Sequence, residues 1–89
     1  MELNDTQFAI LDALYFVEPF QHIVEEVGEP RAVVGAELKT LIDRRLVQVM
    51  EFDPHRQDYV KTPFLDGDKL DEYHYLATKE GLLAHNGRG

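Results

Sequence analysis

The sequence predicts a single α+β domain whose first half is helical and whose second half is largely stranded. Three observations predict it. From Asn4 to Asp43 the apolar residues recur at three- and four-residue spacing, interrupted only near Pro19 and at Gly28-Glu29-Pro30. After Leu46 the pattern changes, and Val47–Phe52 and Tyr73–Ala77 are rich in the β-branched and aromatic residues that suit strands. The length of 89 residues and the hydrophobic content of 44% fit one modest core and exclude both wholesale disorder and a second domain.

The first helix is expected to begin at Asn4. Gln7 stands three residues on, as a capping box requires, and Leu3 with Phe8 supplies a hydrophobic staple. Phe8, Leu11, Leu14 and Tyr15 make one apolar face, widened by Ile10, Ala13 and Val17, and Pro19 is expected to end the helix. Phe20, Ile23, Val24 and Val27 carry a second helix to Gly28, a residue suited to the left-handed position beyond a helix end. Pro30 can open a third, because its missing N–H would have no partner there. Val34, Leu38, Leu41 and Ile42 lie on one face of that third helix. A short helix, a glycine turn and a longer helix is the layout of a helix-turn-helix, although any small helical bundle shares it. Asp53-Pro54 is expected to break the first strand, and Asp66-Gly67 to turn a hairpin pairing Tyr59–Leu65 with Lys69–Tyr75. A mobile loop is the alternative there, since Pro63 opposes a regular central strand. Thr78 can cap a last helix over Lys79–His85.

Composition removes several function classes. The chain has no cysteine, so it has no disulfide, thiolate nucleophile or cysteine-based zinc site. No apolar run approaches the ~18 residues of a membrane span, and the start lacks the pattern of a secretory signal, so a cytoplasmic location without membrane contact is expected. Asn4-Asp5-Thr6 is then a chance match to a glycosylation acceptor. The net charge of −8 is unevenly spread: −6 over residues 1–28, +1 over 29–50, −4 over 51–72 and +1 over 73–89. A nucleic-acid-binding domain usually shows a basic footprint, and here only a nearly neutral window sits in an acidic chain.

The segment Leu41-Ile42-Asp43-Arg44-Arg45-Leu46-Val47 resembles the end of the recognition helix in MarR-type and PadR-type bacterial regulators, with Arg45 where their glycine often falls. Asp53-Pro54-His55-Arg56-Gln57-Asp58 is similar to the start of a MarR wing. Tyr75-Leu76-Ala77-Thr78-Lys79-Glu80-Gly81 resembles the Leu-Thr-x-x-Gly segment after the wing, with Ala77 replacing the usual leucine. The resemblance spans residues 20–83 and implies a winged-helix domain: three helices with a helix-turn-helix, a two- or three-stranded wing over residues 47–77, and a short C-terminal helix.

That resemblance implies a transcriptional regulator that binds duplex DNA as a dimer. Pro30, Arg31, Ala32, Val33, Gly35 and Ala36 would then face the major groove, where Arg31 alone has a side chain suited to base edges. Lys39, Thr40, Arg44, Arg56 and Lys61 would contact phosphates, against seven acids in residues 51–72. The alternative is an acidic interaction module that binds protein and no DNA, with Val33, Gly35 and Ala36 as its apolar contact. A third possibility is that some of these residues are core. A homodimer is expected from the apolar breadth of the first helix, through Phe8, Ile10, Leu14 or Val17 with Leu82 and Leu83 of the last helix.

No enzyme is read from the sequence, and no cofactor or metal. The histidines at 22, 55, 74 and 85 fall in different elements, without the spacing of a helix-borne metal site, and are expected at exposed or edge positions. The carboxylates of Asp66–Glu72 lack the glycine and glutamate of an EF-hand loop. The chain has no serine, and no carboxylate–histidine pair is expected on one face. Tyr73 and Tyr75, with Phe64 opposite, are expected to pack across strands rather than stack on bases, because Asp71 and Glu72 adjoin them.

Overall fold

Asn4 opens the first helix as its spacing predicts. Its side-chain oxygen accepts from the Gln7 backbone N–H at 2.7 Å, and the Gln7 side chain accepts from the Asn4 N–H at 3.1 Å. The computed structural model describes residues 2–63 and 65–88. It runs α1 (Asp5–Ala13), β1 (Glu18–Pro19), α2 (Phe20–Val27), α3 (Arg31–Asp43), β2 (Val47–Asp53), β3 (Asp58–Lys61), β4 (His74–Ala77) and α4 (Lys79–Arg88). The four strands form one antiparallel sheet in the order β1-β4-β2-β3.

α1 is shorter than expected, and the sheet is the reason. The Leu14 carbonyl accepts from the Ala77 N–H at 3.0 Å, and Glu18–Pro19 then pairs with Tyr75 and His74. Strand pairing therefore takes the chain out of the helix before Pro19 is reached, and Tyr15 and Val17 lie beyond its end. α2 ends as predicted, with Gly28 at φ 74°. Pro30 is one position earlier than expected: it caps α3, its carbonyl accepting from the Val33 and Val34 N–H groups at 2.9 and 3.0 Å.

The turn from α3 into β2 is a Schellman arrangement. Arg45 is left-handed at φ 63°, its N–H bonds the Ile42 carbonyl at 2.9 Å, and the Leu46 N–H reaches back to the Leu41 carbonyl at 2.9 Å. The segment opening α4 closes onto this turn. Thr78 Oγ1 donates to the Arg45 carbonyl at 2.8 Å and accepts from the Gly81 N–H at 3.0 Å, while the Thr78 N–H bonds the Leu46 carbonyl at 3.0 Å. A Cβ on Gly81 would stand 2.0 Å from the Leu46 oxygen, so no other residue fits there. The two segments singled out in the sequence thus meet in space. α4 itself continues through Asn86 and Gly87 to Arg88 rather than stopping at His85.

The stretch expected to form a wing is arranged differently from the expectation, as a β2–β3 hairpin followed by a loop. Its turn is residues 54–57, and Tyr59 pairs with Phe52 instead of with a strand after Asp66-Gly67. The Phe52 and Tyr59 rings meet edge to face at 5.4 Å, and Asp53 Oδ1 accepts from the His55 N–H at 2.9 Å, which together favour the nearer pairing. Asp66-Gly67 does turn, with the Lys69 N–H bonding the Asp66 carbonyl at 3.0 Å, but it leads into a 3₁₀ turn at Leu70–Glu72. Tyr73 and Tyr75 are buried and hold this loop: Tyr73 Oη accepts from the Asp66 N–H at 3.0 Å, and Tyr75 Oη donates to the Leu70 carbonyl at 2.8 Å. Phe64, expected opposite these tyrosines, lies outside the described residues.

Between the helices and one sheet face sits the core, built on Ile10, Leu11, Leu14, Ile23, Val34, Leu38, Leu41 and Tyr75, all fully buried. No helix among the described residues is long and apolar enough to cross a membrane.

Candidate functional site: the exposed face of α3 and the cations around it

Core packing takes Val34, Leu38 and Leu41 and turns the opposite side of α3 outward. That outward side carries Ala32, Val33 and Ala36, with Thr40 partly covered below them. Val33 is 42% exposed. Gly35 is buried, and a Cβ there would stand 3.2 Å from Leu70 and 3.6 Å from Phe20. Of the three residues expected to form a protein contact, Val33 and Ala36 are therefore on the surface and Gly35 is interior.

Arg31, the expected base reader, is at the surface but engaged by partners within its own chain. One guanidinium nitrogen donates to Gln21 Oε1 at 2.6 Å, another donates to the Asp71 carboxylate, and the group lies 4.7 Å over the Phe20 ring. The acidic loop that supplies Asp71 also covers the next turns of the helix, where Lys39 lies against Gly67. Between loop and helix runs an apolar groove of about 750 Å³, floored by Phe20, Gly35 and Leu70. The resulting face is small-residued and close to neutral.

The remaining expected phosphate contacts are dispersed. Thr40 Oγ1 donates back to the Ala36 carbonyl at 3.2 Å. Arg56, at the hairpin tip, lies 3.7 Å from Asp53. Arg44 and Lys61 border a separate concavity of about 610 Å³, together with Arg45, at the far end of α3. Among the described residues no carboxylate pairs with these last three cations. The expected set thus divides among the start of α3, its end and the hairpin tip.

Ile10 and Leu14, expected at a dimer contact, are fully buried inside the single chain. Phe8, partly buried, stacks on His85 at 4.2 Å, and Leu82 packs partly buried against the core. Val17 is half-buried, and Leu83 is 61% exposed. α1 hides its breadth against α2, α3 and α4.

Three histidine–carboxylate contacts, made by two histidines, are present that the sequence reading missed. Glu18, His22 and Glu26 stand four apart, a spacing that does signal the contact; His22 bonds Glu18 through Nδ1 and Glu26 through Nε2 at 3.2 Å. The bond to Glu18 is the main cause that raises the His22 pKa above its ordinary value. His85 had no such signal, because its partners are distant in sequence. It is buried, with Nε2 3.0 Å from Asp12 and Nδ1 3.0 Å from Tyr15 Oη. Burial likewise pushes the Tyr75 phenol up, reinforced by Tyr73 and Asp71. Among the described residues no three histidine or carboxylate side chains gather as a metal-binding group. Comparison of the chain with protein-family models, curated proteins and solved structures finds no match in any of the three.

Proposed function

We propose that this chain is a winged-helix-type module that works by holding a protein partner on the exposed face of α3. The winged-helix reading is supported by α2, the Gly28 turn and α3 as a helix-turn-helix pair, and by the β2–β3 hairpin as the wing. The observation that carries the choice of partner is the engagement of Arg31 by Asp71 and Gln21. A base reader must offer its fork to the groove, and here the fork is occupied while an acidic loop lies beside it. Ala32, Val33 and Ala36 suit an apolar contact, and the nearby carboxylates of Glu29, Glu37 and Asp43 suit a partner with a basic rim. Self-association belongs to the same proposal through Leu83, the exposed member of the residues expected at a dimer contact.

The test sets the two partners against each other. Labelled duplex pools are titrated at low and moderate salt with wild type, Arg31→Ala and Arg56→Ala, and a photo-crosslinking residue is placed at position 33 in cells. The expected result is no sequence-selective duplex binding, no effect of either arginine variant, and a protein adduct at position 33 that Ala36→Glu abolishes. Selective duplex binding that Arg31→Ala weakens by ~1–3 kcal/mol would overturn this reading in favour of a DNA-binding regulator.

A further inference from the structure

The sheet has two faces of opposite character. Val47, Val49, Tyr75 and Ala77 point into the core. By the two-residue alternation of strands, Gln48, Met50 and Phe52 of β2 point the other way. The register places them in rows: Gln48 beside Leu76, Met50 between His74 and Lys61, and Phe52 beside Tyr59. None of these outward side chains is buried, and Phe52 is 49% exposed. The Phe52 and Tyr59 rings meet within their row at 5.4 Å, and Tyr59 also reaches diagonally to His74 of the neighbouring row at 4.7 Å.

The charge on this face is unlike that of the chain. Seventeen of the 89 residues are acidic, yet none of the outward positions on β2, β3 or β4 holds a carboxylate. Lys61 is on the face, and the concavity that it borders at the end of α3 also takes in Gln48, Arg44 and Arg45, with Glu80 the one carboxylate among the described residues of its wall. None of these three cations is paired with a carboxylate among the described residues. Glu51 and Glu72 stand at the opposite rim, beside Phe52 and His74. An anionic chain lying on the face would therefore run along the Lys61 side.

We propose that this open sheet face binds single-stranded nucleic acid, its bases stacking on Phe52, Tyr59 and His74 and its phosphates lying along Lys61, Arg44 and Arg45. Aromatic rings on an open sheet beside a basic edge match what unpaired bases need: a π-face for each base and cations for the backbone. A duplex offers its phosphates but keeps its bases stacked inside, so the rings favour the single strand. The site lies apart from the exposed face of α3, and the inference does not depend on the partner proposed there.

The experiment titrates the intact chain with labelled oligo-dT and oligo-rU, with a duplex of the same length, and with an acidic peptide. Anisotropy reads binding at low and moderate salt, and quenching of tyrosine emission reads stacking, since the chain has no tryptophan. Binding of the single strands in preference to duplex and peptide is expected, with quenching and a steep loss as salt rises. Phe52→Ala and Tyr59→Ala should each weaken it roughly five- to a hundredfold, Tyr59→Phe should retain it, and Lys61→Glu should weaken it and flatten the salt dependence. Urea unfolding of each variant shows whether it is folded, and Phe52→Ala, at an exposed position, serves where Tyr59→Ala does not fold. Absence of single-strand binding at low salt, equal affinity for duplex, preference for the acidic peptide, or binding that folded Phe52→Ala and Lys61→Glu leave unchanged would each overturn the proposal.

Discussion

Arg45 occupies a backbone conformation that costs an L-residue roughly 1–2 kcal/mol, at φ 63° in the turn from α3 to β2. Arg45→Gly should relieve that cost and, after the greater chain entropy of glycine, raise stability by about 0.5–1 kcal/mol in urea unfolding. Gly81 is the converse case. Gly81→Ala drives a methyl group into the Leu46 carbonyl, 2.0 Å away, and should lower stability by about 3 kcal/mol in the same measurement. His22 titrates above its ordinary value because Glu18 bonds it. A folded value above the unfolded one means that this pair's contribution is fully present below about pH 6.5 and is lost as pH rises through the folded value. NMR titration of the His22 ring should show the raised value, and Glu18→Gln should bring it down.

At the scale of elements, caps and turns set the boundaries wherever the chain is locally satisfied, and tertiary hydrogen bonds set them elsewhere. The Asn4–Gln7 box, Gly28 and Thr78 each mark a helix end that is visible in sequence. Asn4→Ala should cost about 1 kcal/mol in thermal or urea unfolding, since it leaves the Gln7 N–H without its acceptor. The end of α1 is different, for it depends on Ala77 bonding the Leu14 carbonyl from far along the chain. α4 depends on its neighbours in the same way. His85 is enclosed by Phe8, Asp12 and Tyr15, so His85→Ala should destabilise the docking of α4 on α1 by roughly 1–3 kcal/mol. Hydrogen exchange of the α4 amides would check it, with protection falling there first.

For the whole molecule, the acidity is partitioned rather than uniform. Carboxylates stand on the helices, on the loop beside α3 and, in the hairpin, at Glu51, Asp53 and Asp58, which alternate to the other face, while the outward positions of β2, β3 and β4 have none. The two surfaces therefore suit different partners, an apolar and basic one at α3 and an anionic one at the sheet. Among the described residues, Phe16, 77% exposed, and Leu83, 61% exposed, are the most exposed large apolar side chains. Sedimentation at micromolar concentration should show self-association that Leu83→Glu reduces to the 10.3 kDa species. Wild type sedimenting only as that species would remove the homodimer from the proposed function.

The sequence by itself determined the α+β class, the order of the main elements and most of the core. These follow from periodicity and capping, which are local: Val34, Leu38 and Leu41 face inward because their spacing puts them on one side of a helix. It also marked the α3–β2 turn and Thr78–Gly81 as notable segments, without showing that they close on one another. Only the tertiary structure decided which strand pairs with which, where α1 stops, that α1 is covered by its own chain, and that Asp71 reaches Arg31. The aromatic sheet face without carboxylates was equally hidden, since Phe52, Tyr59 and His74 lie on three different strands. All of these depend on contacts between residues far apart in the chain, and a pattern read over one helical turn or one strand carries no information about them.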